Sequence, residues 1–327
     1  MALNILFCAV GFVLLYYGAE WLVKGSSNLA RRLGVTPIVI GLTVVAFGTS
    51  APELAVSLIS SIQAKSMIAV GNVVGSNICN IALVLGMAAV FQPITSHSSV
   101  VRRDIPIMLG ISLYLLLLSL NSVLGRLEGA TLFGGIIGYT IFNYYTSRKE
   151  LRDDTRRAEI MADLGVEEEE EEETSLARNI VMVVVGIAGV VGGAELVVRA
   201  AVEIMTVLGV SEKFIGLTIV AFGTSLPELA TSVVAAVRKE MDISIGNLVG
   251  SNVFNIMSVL GVASLVRPIP IPGGFFQSGL IIDYLVMLLI SFLPWLMMRG
   301  NNTITRAEGG VLLACYGGYL TYLIIRV

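Results

Sequence analysis

Long apolar stretches alternate with short polar ones along the whole chain, and the stretches have the length of membrane spans. About 20 residues of helix cover the hydrocarbon of a bilayer. Matched to that template, the chain predicts helices near 3–23, 35–62, 66–92, 104–122 and 129–146, then near 178–200, 210–237, 241–266, 277–298 and 307–326. The pattern reads as an all-α polytopic membrane protein with ten transmembrane helices. The first apolar run has no Lys or Arg ahead of it and meets its first charge at Glu20. It therefore reads as a span and not as a cleaved leader.

The chain also matches itself. An offset of 175 residues aligns 35–81 with 210–256 without a gap, and 25 of those 47 positions are identical. Five spans in each half is an odd number, so the second half must enter the membrane upside down. The expected architecture is two inverted five-helix repeats, a common plan of secondary transporters. A first repeat over 1–146, a linker over 147–177 and a second repeat over 178–327 divide the chain on this reading.

Composition strengthens the membrane reading: 55% of residues are hydrophobic and 14% charged, where soluble domains carry roughly a quarter charged. The net charge of −3 is local in origin. Residues 148–173 hold five Lys/Arg against twelve Asp/Glu, which leaves the remainder basic. Alternating the loops between two sides gathers 15 of the 21 basic residues on one side. Basic loops face the cytoplasm, which places both termini outside and the acidic linker inside a cell membrane. The run Glu167 to Glu173 reads as a solvated stretch. No basic patch interleaves with aromatics, so nucleic acid is not an expected partner; the expected surroundings are the lipid bilayer, and no obligate protein partner is evident. Cys8, Cys79 and Cys315 lie within apolar runs and read as packing residues.

Two repeated motifs carry the chemistry. Gly48-Thr49-Ser50-Ala51-Pro52-Glu53 returns as Gly223-Thr224-Ser225-Leu226-Pro227-Glu228. Proline removes a backbone donor and disfavours helix just before it, which frees carbonyls near Gly48 and Gly223. Broken backbone at membrane depth survives where it is buried or lines a cavity. The hydroxyls of Thr49, Ser50, Thr224 and Ser225 sit at the same break, and an intramembrane carboxylate such as Glu53 or Glu228 marks function by default. The second motif runs from Gly71 to Asn80 and returns from Gly246 to Asn255. Residues four apart share a helix face, so Asn72, Ser76 and Asn80 form one polar stripe and Asn247, Ser251 and Asn255 another. Ser76, Asn80, Ser251 and Asn255 are expected to face ions, with Asn72, Asn77, Asn247 and Asn252 as weaker candidates; amides and small residues also join helices in lipid. Carboxylates, hydroxyls, amides and carbonyls without His, a Cys pair, Lys or Arg suit hard cations such as calcium and sodium. Without cations the two carboxylates would carry bare charge through a low-dielectric interior. Such a carrier should change sides only when loaded.

These paired motifs resemble the two alpha repeats of the cation/calcium exchanger superfamily, specifically its sodium/calcium exchanger branch of compact prokaryotic members. The resemblance implies antiport, with no enzymatic reaction and no cofactor, and with calcium and sodium as the transported ions. It implies that helices one and six slide as a gate against a fixed bundle. It implies calcium held by Glu53 and Glu228 with the carbonyls of Thr49 and Thr224. Sodium would be held by the carbonyls of Ala46 and Ala221, the hydroxyls of Ser50, Ser76, Ser225 and Ser251, and the same glutamates. Asn80 and Asn255 match the middle of the site; some relatives have an aspartate at one of these positions, and two asparagines argue against potassium co-transport. Glu20 and Glu195, also related by 175 residues, either line the path or pack at an interface. The rival within this fold is a proton/calcium exchanger, whose branch carries an amide-rich motif around its acidic residue in place of GTS-x-PE. A membrane hydrolase is disfavoured because its acid and base need unequal surroundings, and those of Glu53 and Glu228 are alike.

Overall fold

The computed structural model describes residues 1–162, 175–209 and 221–326. Its helices in chain order are α1 (Ala2–Leu33), α2 (Pro37–Thr49), α3 (Ala51–Ile62), α4 (Ser66–Phe91), α5 (Ile105–Ser119) and α6 (Arg126–Ala162). After the linker come α7 (Leu176–Val207), α8 (Ala221–Gly223), α9 (Leu226–Val237), α10 (Met241–Val266), α11 (Leu280–Met298) and α12 (Arg306–Arg326). Element bounds recur at the repeat offset, as in α3 with α9 and α4 with α10. Even a strained turn recurs: Ala64 and Lys239 both take positive φ, at 61° and 63°.

Six described helices are long and apolar enough to cross a membrane, and the bent pair α2 and α3 makes a seventh. The remaining expected spans differ for identifiable reasons. Helix α5 has 15 residues because a π-helical turn over Val100–Asp104 precedes it. Helix α6 runs past the expected end of its span to Ala162, carrying charged residues of the linker with it. The expected span 210–237 is described only from Ala221, and the acidic run Glu167 to Glu173 lies outside the described residues.

Helices α4 and α10 form the centre, with 78% of each apolar window buried, whereas α1 and α7 are buried over 28% and 33% of theirs. The peripheral pair pack along each other through glycines. A Cβ on Gly18 would lie 2.7 Å from the Val190 nitrogen and 2.8 Å from the Gly189 carbonyl carbon, so no other residue permits this approach. At the centre, a Cβ on Gly250 would lie 2.7 Å from both Cα and O of Leu42, which brings α2 of one half onto α10 of the other. Small residues substitute here for the hydrophobic drive that lipid does not supply between helices.

Proline at the start of a helix costs no hydrogen bond and sets the entry angle. Pro37 opens α2 in this way, after an extended Thr36, and Pro52 lies in the first turn of α3. Between them Ser50, at φ −81° and ψ 8°, leaves the helical region, and α2 and α3 meet at a 48° bend. Ser225 repeats this break before α9, at φ −91° and ψ 6°. The expected kink is therefore present in the first half, and the same backbone break opens α9. Sequence reading did not anticipate the π-helical turns at Gly41–Val45, Asn80–Leu85 and Asn255–Leu260. Two short antiparallel ribbons tie the halves together, Ile94–Thr95 with Thr303–Ile304 and Val123–Leu124 with Ile269–Pro270.

Candidate cation site

The breaks place Glu53 and Glu228 in the first turns of α3 and α9, where the helix dipole favours a carboxylate. Both side chains are fully buried. They lie close enough that the charge of Glu228 acts on Glu53. One oxygen of each carboxylate is hydrogen-bonded. Ser76 Oγ donates to Glu53 Oε1 at 3.3 Å. Ser50 Oγ donates to Glu228 Oε1 at 3.1 Å, and Ser251 Oγ reaches the same atom at 3.5 Å. The other oxygens, Glu53 Oε2 and Glu228 Oε2, have no hydrogen-bond partner, and neither do Ser225 Oγ, Asn80 Oδ1 and Asn255 Oδ1. Burying a polar atom without a partner costs about 1–3 kcal/mol, and more if it is charged. Five such oxygens drawn from both halves mark a site whose missing partners are cations.

Neighbouring groups are held more firmly than spacing alone suggested. Thr49 Oγ1 donates to Asn247 Oδ1 at 3.1 Å and lies 3.4 Å from Ser251 Oγ. Asn247 in turn donates to Ser232 Oγ at 3.0 Å. On the other side Asn72 donates to the Glu53 carbonyl at 3.2 Å and to Ser57 Oγ at 2.9 Å. Asn72 and Asn247 thus brace the site. Ser57 and Ser232, which sequence reading passed over, sit one turn after the two glutamates and are themselves 175 residues apart. That repetition was the available signal. Ala46 is buried, and its carbonyl already accepts from the Ser50 nitrogen at 3.0 Å and Thr49 Oγ1 at 3.4 Å. Thr224 is half-buried beside Glu53, and Ala221 opens the described part of its half. Of the sequence candidates in the first half, Thr49, Ser50, Glu53, Ser76 and Asn80 are all buried around this centre. Ser225, Glu228, Ser251 and Asn255 are their buried counterparts.

Glu20 and Glu195 lie apart from this centre and differ from each other. Glu20 of α1 pairs with Arg238 just beyond α9, at the edge of a cavity of 240 Å³ that Lys24, Ser27 and Glu240 also line. Glu195 pairs along its own helix with Arg199 and is exposed. Among the described residues no three His, Cys, Asp or Glu side chains cluster to hold a metal; two carboxylates and neutral oxygens make up the set.

A buried, oxygen-only pocket shared by two similar halves of an all-helical membrane fold belongs to the class of ion carriers. The model of the family described as sodium/calcium exchanger protein matches residues 3–145 and 178–325. The chain belongs to that family, which consists of exchangers and not enzymes. It is 37% identical over 322 residues to the putative antiporter CaxA of Alkalimonas amylolytica, covering 98% of each chain. With the sodium/calcium exchanger MaX1 of Methanosarcina acetivorans it shares 33% identity over 350 residues, covering 99% of each. Among solved structures it is similar to the sodium-calcium exchanger NCX_Mj, with a TM-score of 0.82 and 32% identity over 98% of this chain and 99% of that one.

Proposed function

We propose that this protein is a secondary active antiporter that exchanges sodium for calcium across a cell membrane by alternating access. The observation that carries the reading is the pair of buried glutamates, each with one oxygen held by serine and the other without a partner. Glu53 and Glu228, with the carbonyls of Thr49 and Thr224, hold calcium. Sodium uses the hydroxyls of Ser50, Ser76, Ser225 and Ser251 and the carbonyls of Ala46 and Ala221. Asn80 and Asn255 supply amide oxygens between the two halves. A calcium ion or a few sodium ions neutralise the carboxylates, and the loaded site crosses where a bare one would not. Relatives named as a sodium/calcium exchanger and a sodium-calcium exchanger support the choice of ions.

Ten spans in two inverted repeats, 1–146 and 178–327, complete the reading, with 147–177 as a cytoplasmic linker and both termini outside. Cross-links between loops support this arrangement, because each joins loops assigned to the same side. The ribbon Ile94–Thr95 with Thr303–Ile304 and the pair Arg103–Glu150 join cytoplasmic loops. The ribbon Val123–Leu124 with Ile269–Pro270 joins external ones. The test is calcium uptake into vesicles holding the purified protein. Uptake should require an outward sodium gradient. Uptake driven by a pH gradient with sodium absent would instead assign the protein to proton/calcium exchange.

A further inference from the structure

Where α4 and α10 cross at the centre, four asparagines bond across the two halves. Asn77 Nδ2 donates to the Asn252 carbonyl at 3.2 Å, and Asn252 Nδ2 donates to the Asn77 carbonyl at 3.3 Å. Asn80 Nδ2 donates to Asn252 Oδ1 and Asn255 Nδ2 to Asn77 Oδ1, both at 3.1 Å. All four side chains are buried. A backbone carbonyl only accepts, so Asn77 and Asn252 must each turn the nitrogen of the amide toward it. Their oxygens then face Asn255 and Asn80, and an oxygen in turn requires a nitrogen opposite. The polarity propagates outward from two backbone carbonyls, and what remains at its ends is Asn80 Oδ1 and Asn255 Oδ1, both without a partner.

We propose that Asn77 and Asn252 are positioning residues that lock the amides of Asn255 and Asn80 with oxygen toward the transported cation and nitrogen away from it. This rests on the cation site proposed above. An asparagine free to turn over would present N–H groups to a cation as readily as its oxygen. The lock also bears on which side chains positions 80 and 255 accept. An aspartate there has no nitrogen to offer, so with its partner asparagine in place it sets carboxylate oxygen against amide oxygen. It needs no lock either, since both its ends are acceptors.

A double-mutant cycle on the purified full chain tests this, read as calcium and sodium binding by calorimetry, with melting temperature as the folding control. Asn77→Ala should weaken cation binding about tenfold, the scale of one hydrogen-bonding group presented wrongly to a charge. In the Asn255→Asp background the same Asn77→Ala change should leave binding unchanged or tighten it. Such rescue is foreign to a residue that merely joins two helices, since the lost bonds between α4 and α10 stay lost. Equal weakening in both backgrounds overturns the proposal. The mirror cycle, Asn252→Ala with Asn80→Asp, gives the same readout should the first variant fold poorly. Failure of the functional reading looks different: calcium binding would survive Glu53→Gln, or sodium alone would bind, while the cycle remains readable with sodium.

Discussion

Ser50 Oγ of one half donates a hydrogen bond to Glu228 Oε1 of the other at 3.1 Å, so the carboxylate of each half is set in place partly by residues outside it. The counterpart Ser225 Oγ has no hydrogen-bond partner. The two halves are similar in sequence without being equivalent in structure, and this difference shapes what substitutions should do.

Replacing Glu53 or Glu228 by Gln should each abolish calcium transport. Either change leaves one carboxylate to face a divalent ion, and both side chains are fully buried, so water cannot make up the loss. Calcium uptake by vesicles carrying each variant is the measurement; near-normal exchange in either would sink the site assignment.

Ser76 and Ser251 each donate to a glutamate, at 3.3 and 3.5 Å. Converting both to Ala removes two hydroxyl ligands and leaves both carboxylates. Sodium dependence should therefore weaken more than calcium binding, by about tenfold or more if each group contributes about 1 kcal/mol. The apparent sodium affinity at fixed calcium, compared with calcium binding in sodium-free buffer, separates the two. An equal loss on both sides would show that the hydroxyls serve both ions alike.

Gly250→Val should destabilise the folded protein, because even the Cβ would meet Leu42 at 2.7 Å, and the atoms it meets there are backbone that a rotamer change cannot move aside. Overpacking of this kind costs about 1–3 kcal/mol. The same substitution at Gly75, the equivalent glycine of the first half, should be better tolerated, since an added Cβ there meets nothing within 4 Å. Melting temperatures of the two purified variants test the contrast, and equal losses would contradict it.

Arg238→Gln removes the partner of Glu20, yet both side chains reach solvent. Exposed ion pairs contribute about 0–1 kcal/mol and are screened by salt, so thermal stability should fall little and the difference should shrink as salt rises. A large, salt-insensitive loss would mean that this contact carries more of the α1 interface than its exposure implies. Glu20 and Glu195 were equivalent by sequence. The structure separates them because Gln63 stands where a second Arg238 would have to be.

Spans, repeat and ligand chemistry were legible in the chain because each depends on local order alone: apolar run length, a 175-residue self-match, and proline beside glutamate in the GTS-x-PE segment. The bend at Ser50 follows from Pro52 for the same reason. What only the tertiary structure decided is which group meets which. A π-helical turn inserts an extra residue into a helix and rotates everything beyond it, so the turns at Asn80–Leu85 and Asn255–Leu260 upset the face that a spacing of four predicts. Asn77 and Asn252, the weaker candidates by spacing, thereby come to face each other across the halves and hold Asn255 and Asn80. Contacts between residues 175 apart depend on helix phase and on how closely glycines let backbones approach, and neither is a property of any single segment.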